Sequence, residues 1–367
     1  MESRHFAMRR QRVLWRCGVL CMREGEAFMK KILLVATGGT IASAEEGSGL
    51  APALTGEQLA AFVPGIDTMC DFDVVQPMNI DSTNMRPADW VRLADVVAKS
   101  YDAYDGFVIL HGTDTMAYTA AALTYLVQGI KPVALTGSQL PMEDPFTDGK
   151  LNVWQAFRFA TDDRARGICV VFAGKVIAGT RARKQRTTSF DAFESVNFPL
   201  IARFRGDEVV MAPGFDEADA ANDSGAEAAL QPPRFFDALN DRVCAVKLTP
   251  GMNPAFIAAL KDDFDAIILE AFGIGGVPEF DEYGEALFDW VDSGRLLVVT
   301  TQVPEEGLDL GVYEVGRAYA EHPGILKGGD MTPEALLAKT MWVLGRTDDP
   351  ARAAELFYAP VNYDRRF

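Results

Sequence analysis

Short apolar runs alternating with segments of helical spacing predict an α/β protein, with a larger N-terminal parallel-sheet domain followed by a smaller C-terminal α/β domain. Three observations predict it. The apolar runs are four to six residues long and rich in Val, Ile and Leu, as strands buried on both faces are. Helical patterns separate them. One acidic, Ala/Gly-rich stretch divides the series in two.

In chain order, Ile32-Leu33-Leu34-Val35-Ala36, Phe107-Val108-Ile109-Leu110, Pro132-Val133-Ala134-Leu135 and Ile168-Cys169-Val170-Val171-Phe172 read as buried parallel strands. Ala88 to Ala103 and Thr115 to Val127 carry apolar residues at helical spacing. From Gly214 to Pro233 large apolar residues nearly vanish and two prolines close the segment, which reads as an exposed connector. The alternation then resumes with Val243 to Leu248, Ala266-Ile267-Ile268-Leu269 and Leu296-Leu297-Val298-Val299. This divides the chain into an N-terminal domain (30–205), a connector (206–234) and a C-terminal domain (235–367).

Residues 1–29 fit none of this. They hold six Arg against three Glu, and their apolar stretch is cut by Arg16, too short for a secretory signal. Met29-Lys30-Lys31-Ile32 reads as a fresh start running into the first strand, so the preceding segment is expected to be untranslated. A disordered arm or a transit peptide are the alternatives.

Bulk composition narrows the chemistry. A net charge of −17 argues against nucleic acid, whose phosphates would be repelled. No apolar run nears the roughly 20 residues needed to span a bilayer. The five cysteines, Cys17, Cys21, Cys70, Cys169 and Cys244, form no CxxC pair and suit reduced thiols in the cytoplasm better than a disulfide framework or zinc site. Only His5, His111 and His322 are present, so a Ser-His-Asp triad would have to use His111, and a multi-histidine metal site is hard to build. The expectation is chemistry by Thr, Lys, Tyr and carboxylates on a small molecule, with no metal and no cofactor.

In parallel sheets ligands bind beyond the C-terminal ends of strands. Thr37-Gly38-Gly39-Thr40-Ile41-Ala42 follows the first strand; it leaves a hydroxyl at the strand end, but reads equally as a turn with a cap. His111-Gly112-Thr113-Asp114-Thr115-Met116 follows the second, placing three polar side chains where a helix needs one cap. Gly179-Thr180-Arg181-Ala182-Arg183-Lys184 is a basic cluster. It is either a solvated surface or the source of a lysine base for Thr113.

Together these stretches resemble the bacterial-type L-asparaginase (asparaginase/glutaminase) family. The resemblance rests on Thr37 to Ala42 and His111 to Met116, joined by Asp81-Ser82-Thr83-Asn84-Met85, Leu135 to Pro141, Phe190 to Ser195 and Gly328-Gly329-Asp330-Met331-Thr332. It runs from about Met29 almost to the end of the chain. Tyr104 to Leu110 and Met116-Ala117-Tyr118-Thr119 look like the cytoplasmic, type I branch.

The resemblance implies an asparaginase-like fold and asparagine catabolism. Thr40 is implied as the nucleophile that forms an acyl-enzyme and releases ammonia. Thr113, Asp114 and Lys184 are implied as the second catalytic group. Lys184 is the base and Asp114 also binds the substrate ammonium. Ser82 is implied for the α-carboxylate and Thr83 for the head group. Backbone groups at Gly39, Gly112, Thr113 and Ser138 are implied partners of substrate oxygens. It further implies a homodimer or homotetramer with the active site near a subunit interface, to which Phe272 to Pro278 would lend an edge; by itself that segment reads as a tight turn. Relatives often carry an activating tyrosine after the first motif, where this chain has Leu50 within Gly47 to Pro52. Three rival readings share parts of these features: the glutamine-deamidating subunit of a tRNA-dependent amidotransferase, a non-catalytic amino-acid sensor, and a nucleotide-binding protein using Gly273 to Gly276. Asparagine against glutamine rests on a methylene's worth of pocket, roughly 1–3 kcal/mol.

Overall fold

The apolar runs do become strands buried on both faces. The computed structural model describes residues 22–23, 26–27, 29–38, 43–46, 49–52, 58, 61–215, 232–311, 319, 322 and 324–366. Strand β1 (Lys31–Ala36) sits between β2 (Asp71–Val75) and β3 (Gly106–Leu110), and β4 (Val133–Thr136) and β5 (Ile168–Phe172) follow, all parallel. Because successive strand residues face opposite ways, Leu33 and Val35 enter one apolar cluster while Ile32 and Leu34 enter another. Helices α1 (Pro87–Ser100) and α2 (Met116–Leu126) cover the first face, and α3 (Gly149–Ala160) covers the second.

The larger sheet is mixed rather than wholly parallel. β6 (Lys175–Ala178), β9 (Ala202–Arg205) and β10 (Glu208–Met211) complete one edge antiparallel, giving the order β10-β9-β6-β5-β4-β3-β1-β2. The reversal is made by Ala173 and Gly174, both at positive φ (48° and 77°), a two-residue turn whose twist suits a hairpin. β10 extends this sheet into residues expected from the sequence to be connector, because Val209 and Met211 bury their side chains against the second face. β7 (Ala182–Lys184) and β8 (Phe193–Ser195) form a separate two-stranded ribbon. Residues 216–231 lie outside the described residues.

The second sheet is parallel throughout: β11 (Val243–Lys247), β12 (Ala266–Ala271), β13 (Leu296–Thr301) and β14 (Ile325–Lys327), with α4 (Tyr283–Asp292) on one face. Its other face shares a core with the larger sheet. Ala266, Ile268, Leu296 and Val298 belong to the same cluster as Leu33, Val35, Phe107 and Ile109, and α2 and α5 (Pro333–Leu344) fill the layer between. Ten of the eleven residues of α2 are therefore buried, as expected of a helix apolar on all sides. Tyr125 of α2 stacks on Trp342 of α5 at 6.0 Å. Beyond α5, α6 (Pro350–Tyr358) adds Ala353 and Phe357 to this core.

No described helix is long and apolar enough to cross a membrane.

Candidate active site

The polar loops gather where β1, β3 and β4 end. Thr37 anchors the first: its amide and hydroxyl both donate to Leu110 O (3.1 and 2.9 Å) and its carbonyl accepts from the Ile80 amide (2.9 Å). Gly38 follows at φ +100°, with its backbone so close to Ile80 that a Cβ would stand 2.6 Å from Ile80 O. Only glycine fits. Gly39 and Thr40 lie outside the described residues. Of the loop carrying Leu50, the backbone pairs Ser43–Glu46 with Gly49–Pro52, placing Leu50 opposite Glu45.

The second loop is fixed by His111, which is fully buried. Gly112 O can only accept, so the Nδ1–H donates to it (2.7 Å); Nε2 then accepts from the Thr119 hydroxyl (2.8 Å), which itself accepts from Trp90 Nε1 (2.9 Å). Burial lowers the imidazole pKa from 6.5 to about 4. A neutral ring with both nitrogens committed to the scaffold is no triad base. It holds Gly112 and Thr113 in place. Gly137 of the next strand end approaches so closely that a Cβ would lie 2.2 Å from His111 O.

Thr113 is 5 % exposed, and its hydroxyl donates to Gln139 Oε1 (3.1 Å). Lys184, at the end of β7, donates from Nζ to Thr113 Oγ1 (2.8 Å) and to Asp114 Oδ1 (2.6 Å). The structure thus brings Thr113, Asp114 and Lys184 into one contact group. The basic cluster is not simply a solvated surface. Of the three polar residues opening α2, Thr115 holds the cap position but makes no capping bond with its side chain; its hydroxyl donates instead to Ser82 O (2.8 Å). That bond ties the Ser82–Asn84 turn to the Thr113 loop. Asp81 shapes this turn by accepting from the Thr83 amide (2.8 Å) and hydroxyl (2.9 Å). Ser82 is buried and Thr83 exposed.

Ser138 is buried, and its hydroxyl donates to Leu140 O (2.5 Å) within its own loop. Asp148 holds that loop by accepting from the Gln139 and Leu140 amides (3.0 and 3.2 Å), and Asn152 braces Asp148 (3.0 Å). Burial nonetheless raises the Asp148 pKa, against the pull of these donors. Gln139 is the residue that sequence reasoning missed. Besides accepting from Thr113, it donates to Thr187 O and Ser189 O, both 3.1 Å, and so links Thr113 to the loop beyond Lys184. Its place beside Ser138 in the Leu135 to Pro141 motif was the signal that could have found it. Phe272 to Pro278 contains a tight turn closed by Phe272 and Gly276, with Gly273 and Gly275 at positive φ.

An amine in contact with both a hydroxyl and a carboxylate agrees with the motifs that suggested an amidohydrolase, and similarity to known proteins decides the family. Its N-terminal profile, "Asparaginase, N-terminal", matches residues 31–214. The "Glutaminase/Asparaginase C-terminal domain" profile matches residues 242–357. The chain belongs to the asparaginase family. It is 38 % identical over 327 residues to the L-asparaginase of Thermococcus kodakarensis, covering 87 % of this chain and 94 % of that one. The crystal structure of L-asparaginase I from Vibrio cholerae superposes with a TM-score of 0.80 at 30 % identity, covering 92 % of this chain and all of the other. A glutamyl-tRNA(Gln) amidotransferase subunit of Pyrococcus furiosus is 34 % identical over 337 residues, covering 89 % of this chain and 74 % of that protein. These relatives agree with the expected asparaginase-like fold and type I branch.

Proposed function

We propose that this chain is a cytoplasmic L-asparaginase, which hydrolyses the side-chain amide of L-asparagine to L-aspartate and ammonia through a threonine acyl-enzyme. The observation that carries this reading is the 2.8 Å contact of Lys184 Nζ with Thr113 Oγ1, with Asp114 on the same amine. That separation permits direct proton transfer. Thr40 Oγ attacks the amide carbon, and the C–N bond breaks as ammonia leaves with a proton. Water then attacks the acyl-enzyme ester, releasing aspartate and restoring the Thr40 hydroxyl. Thr113 and Lys184 relay the protons, with Lys184 as the base; Gln139 holds the Thr113 hydroxyl beside it by accepting its hydrogen bond. Asp114 gives one carboxylate oxygen to Lys184 and the other to the substrate ammonium. Ser82 receives the α-carboxylate and Thr83 flanks the head group. Backbone N–H groups of Gly39, Gly112, Thr113 and Ser138 are the proposed partners of the substrate oxygens.

The site is completed in a homodimer or homotetramer, with Phe272 to Pro278 of a neighbouring copy at its edge. Free Cys70, Cys169 and Cys244 support a reducing compartment. Similarity to the Pyrococcus amidotransferase protein favours a second reading, glutamine deamidation, but this chain spans only about three quarters of that relative. A Lys184 poised on Thr113 supports an enzyme over a sensor, since binding alone needs no base. The test is ammonia release from asparagine and glutamine by wild type, Thr40→Ala and Thr113→Val. Release from asparagine that falls by orders of magnitude in both variants supports the reading. Undiminished turnover in Thr113→Val, or no release by the wild type from either amide, overturns it.

A further inference from the structure

Lys184 reaches Thr113 from a ribbon that belongs to neither large sheet. Strand β7 is three residues long and, among the described residues, pairs only with β8. A two-stranded ribbon is marginal by itself, so the position of Lys184 depends on what grips the start of β7. That grip is made by residues remote in sequence. Thr180 Oγ1 donates to Asn362 O (3.0 Å), and Thr180 O accepts from Thr332 Oγ1 (3.0 Å). Arg181, fully buried, donates from Nε to Tyr363 O (2.5 Å) and from Nη1 to the backbone and side chain of Asp330 (2.9 and 3.0 Å).

The gripping segment carries backbone strain. Asn362 and Tyr363 lie consecutively in the left-handed region, at φ 45° and 65°. Non-glycine residues persist there only where their surroundings over-determine them. Here they do: the Tyr363 ring stacks on Phe198 at 5.0 Å, and Asp364, fully buried, meets Lys339 and the Tyr125 hydroxyl. The two strained residues are the ones whose carbonyls meet Thr180 and Arg181. Arg181 adds a second oddity, because its Nη2 is buried without a hydrogen-bond partner among the described residues. An apolar side chain of like volume would avoid that desolvation cost. What the guanidinium adds is direction: one rigid plane fixes residue 181 against two separate elements.

We propose that the segment Asn362–Asp364, acting through Thr180 and Arg181, positions β7 so that Lys184 meets Thr113. This rests on the roles of Lys184 and Thr113 proposed above. Three residues of strand, about 10 Å, separate the grip from the amine, so a small rotation at Arg181 displaces Nζ from a 2.8 Å contact.

The test uses the full chain with Thr180→Val, Arg181→Lys and Lys184→Met. Thr180→Val removes one hydroxyl. Arg181→Lys keeps the charge beside Asp330 but cannot span to Tyr363 O as well. In both, kcat for ammonia release falls about 10- to 100-fold, as misplacement of a reacting group by about an ångström does, with KM within about twofold and the acid limb of the pH–kcat profile displaced. Thr180→Val decides the matter if Arg181→Lys fails to fold. A lowered Tm with kcat per folded molecule and pH profile unchanged overturns the positioning role, as does a change confined to KM. Undiminished turnover in Lys184→Met overturns instead the reading on which it rests.

Discussion

Replacing Lys184 by Met separates catalysis from stability. The substitution keeps an unbranched side chain one atom shorter and removes two hydrogen bonds, to Thr113 Oγ1 at 2.8 Å and Asp114 Oδ1 at 2.6 Å. Asp114 has 57 % of its side chain exposed, so its loss of a partner is met by water. Lys184 itself is 16 % exposed, and a pair with one solvent-facing partner contributes on the order of 1 kcal/mol. Thr113 keeps its bond to Gln139 and the hydroxyl stays in place. Stability should therefore fall by no more than about 1 kcal/mol. Turnover has no such refuge. A positioned general base contributes on the order of 100- to 10,000-fold, or about 2.7–5.4 kcal/mol of transition-state stabilisation. The assay is ammonia release under saturating asparagine, paired with urea denaturation of the same preparations. A variant that retains more than about a tenth of wild-type kcat removes Lys184 from proton transfer. A loss of several kcal/mol in stability would mean that the amine is structural.

Gln139→Leu removes the acceptor of the Thr113 hydroxyl and two bonds to the loop beyond Lys184; kcat should fall about tenfold for a stability cost near 1–2 kcal/mol, and steady-state kinetics with thermal melts will show whether it does. Gly137→Ala should cost about 1–3 kcal/mol and depress activity, because its Cβ would meet His111 O at 2.2 Å and push the Thr113 loop aside; wild-type melting would contradict the close approach. Acid should destabilise the fold through His111. Its folded pKa of about 4 lies below the ordinary 6.5, so the unfolded chain binds the extra proton first. This contribution is intact above pH 6.5, is lost progressively toward pH 4, and amounts to about 3 kcal/mol at most. Denaturant midpoints between pH 7 and 4.5, compared for wild type and His111→Gln, measure it; equal slopes in both would assign the acid sensitivity elsewhere.

Strands buried on both faces were legible because an uninterrupted apolar run such as Ile32 to Ala36 has few other uses. The antiparallel edge was not. Alternation such as that of Ala202–Arg205, with only the first residue fully buried, resembles a loop as much as an edge strand. The reversal depends on Ala173 holding positive φ, which no composition rule announces. In the site, the Thr113 and Asp114 loop could be read from its surplus of polar residues over capping needs. The arrival of Lys184 could not, since it stands 71 positions after Thr113 on a detached ribbon. Resemblance supplied that pairing, and geometry gives it a distance. Gln139, Thr115 and Arg181 act through partners far along the chain, and spacing carries no trace of those.

The layer of α2 and α5 has a practical consequence. Each sheet completes its interior with helices seated on the other, so neither half carries a finished surface where they meet. A chimera that joins residues 30–205 of this chain to the other half of a relative would inherit two incompatible sets of knobs at Tyr125 and Trp342. Grafts should succeed only when α2 travels with its companion helix, and heat should melt both halves in a single step.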